Sequence, residues 1–149
     1  MTQNEIERLA RQLMADHGFS HIPLRWSNGK RILGAVRFLR VTHQPIDLTL
    51  SKIMLPLLPE DQVRDVILHE IAHLMTPGEG HGPRWKAACR QIGAKPERTT
   101  TVPQEVKAAT AKHTLVCQKC GHEVYIHRRL KYDASRYAHK GCGGRFKNQ

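Results

Sequence analysis

Long hydrophobic runs are missing from this sequence. No stretch of its 149 residues approaches the eighteen or so apolar residues that a bilayer-spanning helix requires. The opening segment, MTQNEIERLARQLMADHG, has no apolar core of the kind a secretory leader carries. The expectation is a soluble, unexported protein with no membrane partner, located in the cytoplasm or with the nucleoid or nucleus. Cysteine is scarce as well. The four present are Cys89, Cys117, Cys120 and Cys142, and without a secretory context metal ligation accounts for the close pair better than disulfides do. Acidic residues run short in the second half. Residues 1–80 hold nine Lys/Arg and nine Asp/Glu, whereas residues 81–149 hold fifteen Lys/Arg against four Asp/Glu, so the whole +11 excess lies there. A solvated basic face is the ordinary explanation. Clustered cations also gain affinity by displacing counterions from phosphates, and this degree of asymmetry favours a nucleic-acid partner.

What is present divides into a patterned first part and a sparse second one. Residues 2–18 predict a helix: Thr2 and Glu5 have capping-box spacing, Ile6, Leu9, Ala10, Leu13 and Met14 form one apolar stripe, and Gly18 stands ready to end it. Between Leu24 and Leu50 the texture turns strand-like. Asn28-Gly29 is a hairpin signal between two such runs, IDLTLS alternates with period two, and about three strands of a small sheet are expected. Pro59, Glu60 and Asp61 mark a helix start, placing the next helix at about 60–75. Pro83 and Gly93 bracket another. Residues 94–114 are weakly patterned and predict a connector with a short helical turn near 104–111.

The chemistry concentrates in HEIAHLMTPGEGH, residues 69–81. On the 60–75 helix, His69 and His73 are one turn apart and border the apolar stripe, so both imidazoles reach one ion. Glu70 is placed to take a proton from water beside that ion. A catalytic zinc needs a third protein ligand and an open position. His81 follows after seven residues, and Gly78 and Gly80 let the backbone bring it back; Glu79 is a rival for that place.

A second cluster lies near the end. CQKCG at 117–121 and HKGCGG at 139–144 offer Cys117, Cys120, His139 and Cys142 in paired-knuckle spacing, a structural Cys3His zinc site, with His122 and His127 as rivals for the fourth place. A segment this poor in large apolar side chains has few other means of folding. Between the knuckles, basic and aromatic residues interleave, and on a strand Arg128, Arg129, Lys131 and Arg136 would face phosphates while Tyr125 or Tyr132 faced bases.

With VILHEIAHLM, GHGPRWKAACRQIG, the strand-like LGAVRF and IDLTLS, and the terminal cysteine module, the sequence resembles the SprT-like, Spartan-type metalloprotease family over most of its length. The resemblance implies an α+β minimal zincin over residues 1–95, a connector over 96–114 and a zinc ribbon over 115–149. It implies one catalytic zinc on His69, His73 and His81 with Glu70 as general base, one structural zinc, and DNA-bound or DNA-crosslinked proteins as substrates. Family ribbons usually close on a fourth cysteine, where this chain has His139. Two other readings remain at this stage: a non-catalytic, zinc-stabilised nucleic-acid-binding adaptor, and a zinc nuclease, against which the position of Glu70 argues.

Overall fold

The computed structural model describes all residues, Met1–Gln149, in two compact units, Met1–Thr101 and Val102–Gln149. No helix is long and apolar enough to cross a membrane.

The first unit opens with α1, Gln3–Asp16, and the capping box forms as expected: Thr2 Oγ1 accepts from Glu5 N–H at 3.2 Å and the Glu5 carboxylate accepts from Thr2 N–H at 2.9 Å. Ile6, Ala10, Leu13 and Met14 are its buried stripe. Three strands follow, β1 (Leu24–Ser27), β2 (Gly34–Phe38) and β3 (Pro45–Ser51), in the order β1-β3-β2. The hairpin expected at Asn28-Gly29 does not form. β1 pairs with β3 in parallel, β2 pairs with β3 antiparallel, and the true hairpin joins β2 to β3 through residues 39–44. The central strand decides this outcome. Leu48 and Leu50 of β3 are fully buried, and its buried Asp47 binds Arg25 of β1 at 3.1 Å and Arg37 of β2 through Nε at 3.0 Å, so one carboxylate ties both outer strands to β3. Those guanidinium groups hold Asp47 below its usual carboxylate range, Arg37 foremost.

A short 3-10 turn, Leu55–Leu57, leads to α2, Glu60–Met75. Glu60 and Asp61 occupy its first turn, where carboxylates meet the positive end of the helix dipole. Val63, Val66, Ile67, Ile71 and Leu74 bury against α1, the sheet and α3 (Pro83–Ile92), whose Trp85, Ala88 and Cys89 are also buried. At about 1.5–3 kcal/mol per buried aliphatic side chain, this interface fixes how α2 rests on the sheet. Gly93 ends α3 in the left-handed region at φ 85°. Cys89 is a small core residue whose thiol burial pushes up to about 11.

The second unit begins with α4, Gln104–Thr110, and contains β4 (His113–Cys117), β5 (Glu123–Ile126) and β6 (Phe146–Asn148), antiparallel in the order β5-β4-β6. Its sheet core is small: Leu115, Cys117, Ala134 and Phe146 are buried, with Val124, Ile126, Leu130, Tyr137 and Cys142 packed around them.

Candidate active site

The histidines converge as the helix geometry predicts. His69 and His73 project from the last turns of α2, and His81 returns to them from the turn 76–82, in which Gly78 and Gly80 adopt φ of 80° and 64°. Nε2 of His81 lies 3.2 Å from Nε2 of His73 and 3.3 Å from Nε2 of His69. Zinc–nitrogen bonds of about 2.0–2.1 Å in a tetrahedron require ligand nitrogens about 3.3–3.4 Å apart. Both separations from His81 match that spacing, and with all three donor atoms within 4.8 Å of one another the imidazoles fit a zinc ion and leave its fourth position open. Burial, followed by the neighbouring imidazoles, lowers His69 and His73 to about 4, and burial with the charge of Arg98 lowers His81. The rings are therefore neutral at neutral pH, the form that donates to a metal.

Trp85 holds this arrangement from below. Its ring centroid lies 4.6 Å from those of His69 and His81 and 5.2 Å from that of His73, and its Nε1 donates to the His69 carbonyl at 3.4 Å. Trp85 belongs to the buried stripe of α3 with Ala88 and Cys89, and its ring is also the floor beneath all three imidazoles. Glu79 takes no part in the cluster; its carboxylate accepts from Arg84 N–H at 3.2 Å, at the start of α3.

Glu70 is almost fully buried, forms no hydrogen bond or ion pair within the chain, and burial raises its carboxyl to about 8. It lies in an open pocket of about 460 Å³ with the three histidines, Gly34, Ala35, Val36 and Phe38 of β2, His43, and Arg98. A cation on the three nitrogens would favour its ionised form. Gly34, which the sequence did not single out, makes room for it: a Cβ there would sit 3.0 Å from Glu70 Cγ and 3.2 Å from Oε1. Gly34→Ala is expected to displace the carboxylate and lower turnover by about 10²-fold with zinc content unchanged, since misplacing a reacting group by about an ångström costs that much. Turnover equal to wild type would remove Gly34 from the site's requirements.

In the second unit four side chains meet. Cys117 Sγ is 3.4 Å from Cys142 Sγ, and His139 Nδ1 is 3.3 Å from Cys120 Sγ and 3.2 Å from Cys142 Sγ. These separations are a few tenths of an ångström tighter than a zinc tetrahedron with bonds of about 2.3 Å to sulfur, so the group fits a closed zinc site. Each knuckle ends in a glycine at positive φ, Gly121 after Cys120 and Gly143 after Cys142. Gly144 closes against the sulfurs, where a Cβ would lie 2.6 Å from Cys117 Sγ. Backbone N–H groups, that of Cys120 first and then that of Lys119, bring the Cys117 thiol down to about 6, toward the thiolate that metals bind. His122 stacks on the His139 ring at 4.8 Å and stays outside the four, as does His127.

The basic residues fall differently from the expectation. β5 ends at Ile126, so Arg128, Arg129 and Lys131 occupy the following loop and Arg136 ends the 3-10 turn Ala134–Arg136; none is on a strand, and all four are exposed. Lys131 and Arg136 stand over the Tyr132 ring at 5.3 and 4.8 Å. Arg129 and Lys131 line an open cleft of about 740 Å³ with Lys112, His113 and Tyr132. Tyr125 is half-buried with its hydroxyl donating to Glu123, so it is not the free stacking platform that alternation suggested.

Among solved structures the chain is similar to the metallopeptidase zymogen of Methanocaldococcus jannaschii jannalysin, with 19% identity, 70% of this chain and 91% of that chain covered, and a TM-score of 0.48. The SprT-like family matches residues 3–113, which take in all but the first two residues of the first unit, with its histidine cluster and Glu70. The chain belongs to the SprT-like zinc metalloprotease family.

Proposed function

We propose that this metalloprotease acts on proteins held on nucleic acid, most directly DNA, with the catalytic chemistry in the first unit and the nucleic-acid contacts in the second. The observation that carries the protease reading is the convergence of three imidazole nitrogens within 4.8 Å of one another beside a buried, unpaired Glu70. Zinc held there would act as a Lewis acid on a peptide carbonyl and ease deprotonation of water. The remaining work falls to the chain. Trp85 holds the imidazole rings in register, Glu70 accepts the proton of the attacking water and passes it to the leaving amine, and Gly34 leaves the carboxylate its space.

The nucleic-acid side of the proposal is supported by charge. Residues 102–149 carry ten Lys/Arg against Glu105, Glu123 and Asp133, a net of +7. Tethering the protease to a polyanion would raise its effective concentration at proteins already bound there. Two zinc ions per chain are expected by elemental analysis, the one on Cys117, Cys120, His139 and Cys142 resisting chelation longer because a closed site has no exchangeable position. Quenched peptides, a DNA-crosslinked protein and the free protein, assayed with and without chelator, test the proposal. Chelator-sensitive cleavage favouring the crosslinked protein is expected. Cleavage of free and crosslinked protein at equal rates would confine the chain to general proteolysis, and zinc-replete protein that binds DNA without cutting anything would make it an adaptor.

A further inference from the structure

The segment after α3 has no regular structure, yet it is fastened to α2 at two points. Lys95 N–H donates to Asp65 Oδ1 at 2.9 Å, and Gln62 Nε2 donates to the Thr101 carbonyl at 3.1 Å. Between these anchors Arg98 lines the pocket that holds His69, Glu70, His73 and His81. Its guanidinium forms no ion pair and no hydrogen bond within the chain, and Glu70, the one carboxylate in that pocket, is not its partner.

An uncommitted cation beside a site for a dication is unfavourable by simple Coulomb repulsion. Such a placement makes physical sense where an anion forms in the same pocket, and peptide hydrolysis forms one. Water oxygen bonds to the carbonyl carbon, the water proton passes to Glu70, and the π pair of the carbonyl moves onto its oxygen. When that pair returns, the C–N bond breaks and the amine nitrogen takes the proton from Glu70. Arginine suits the intervening charge, because its guanidinium stays cationic and presents several N–H donors in a fixed plane.

We infer that Arg98 is a catalytic residue of this chain, donating to the carbonyl oxygen of the scissile peptide as negative charge develops there. The inference rests on the metalloprotease reading above. The mode of attachment explains how an irregular segment can position such a donor: the backbone on either side of Arg98 is tied to the helix that carries His69, Glu70 and His73.

The test uses the full-length, zinc-loaded protein and an internally quenched, C-terminally amidated peptide. Arg98→Ala should lower kcat by about 10²-fold, the loss typical of removing one oxyanion donor, with KM changed by less than about threefold. Affinity for a phosphinic peptide, which carries negative charge where the oxyanion would lie, should fall by a similar factor of about 10². Arg98→Lys should recover about tenfold of both, since a point charge replaces part of the fork. Zinc affinity, measured by competition with a chelator, should be no weaker in Arg98→Ala. A fall confined to KM would make Arg98 a substrate-binding group, zinc loss would make it structural, and unchanged kcat/KM would dismiss it; each result overturns the assignment. Should the wild type cleave no peptide, the metalloprotease reading fails separately, and the phosphinic peptide still decides: equal affinity in wild type and Arg98→Ala removes Arg98 from any anion site.

Discussion

Replacing Glu70 by glutamine is expected to lower peptide hydrolysis by about 10²–10⁴-fold, the range that a positioned proton acceptor contributes. Fold and zinc content should stay as they are. Glutamine keeps the volume of the side chain, so the tight approach of Gly34 to Glu70 Cγ is preserved and no cavity opens on the α2–β2 contact. Glu70 is also unpaired within the chain, so no buried partner is stranded by the change, whereas removal of one member of a buried pair ordinarily destabilises a protein by leaving the other uncompensated. His81→Ala provides the contrast. It removes one of three converging nitrogens and should lose activity together with the first-unit zinc, leaving the ribbon zinc in place. Elemental analysis beside a peptide assay separates the two outcomes: activity lost with zinc retained identifies a proton carrier, activity lost with zinc identifies a ligand. Wild-type turnover in Glu70→Gln would sink the hydrolytic mechanism set out above.

The legible parts of this site are those that local chain geometry fixes. His69, Glu70 and His73 share one helix, so periodicity alone sets their relative positions, and the capping box at Thr2 and the left-handed Gly93 are likewise short-range features. The knuckle spacing of Cys117, Cys120, His139 and Cys142 carried over because two tight turns leave little freedom. What the sequence concealed depends on distant pairing. Asn28-Gly29 has the composition of a hairpin turn, but β1 gains more from lying beside β3, where Leu48, Leu50 and Asp47 are buried and Arg25 finds its carboxylate. Gly34 reads as an ordinary glycine until β2 is seen to pass across Glu70. Trp85 and Arg98 are similar cases: one reads as a core residue and the other as a loop charge, and only the packing of α3 and of the segment after it onto α2 brings them to the histidines. Composition indicated that the second unit was basic. It could not say that Arg128, Arg129 and Lys131 leave the strand for a loop.

Cys142→Ser is expected to unfold the second unit and abolish the salt-dependent nucleic-acid binding proposed for it, while the first unit keeps its zinc and its peptidase activity. The reasoning begins with the size of the core. The sheet of this 48-residue unit closes on four buried side chains, Leu115, Cys117, Ala134 and Phe146, two of them no larger than a thiol or a methyl, and α4 adds only Val106 and Thr110. Units of this size rarely close on apolar burial alone. A structural zinc site contributes about 10–16 kcal/mol of apparent binding free energy, most of which serves as folding free energy, and Cys142 stands in van der Waals contact with both Cys117 and His139. Losing that thiolate therefore removes more free energy than the sheet can replace. The cations depend on the same framework. Arg128, Arg129, Lys131 and Arg136 lie in the chain between the two knuckles, and without the knuckles the cleft that Arg129 and Lys131 line loses the fold that shapes it. If about four of these cations meet phosphates, log K for a single strand should fall with log salt at a slope of about −3 in the wild type, using about −0.7 per contact. The serine variant should give a shallow line of weak binding, and limited proteolysis should cut it between residues 102 and 149 while sparing 1–101. An unchanged slope with an unfolded ribbon would move the nucleic-acid surface to Arg84, Lys86, Arg90, Lys95 and Arg98 on the first unit, the last of which lines the histidine pocket, and would leave the ribbon without a part in holding the substrate.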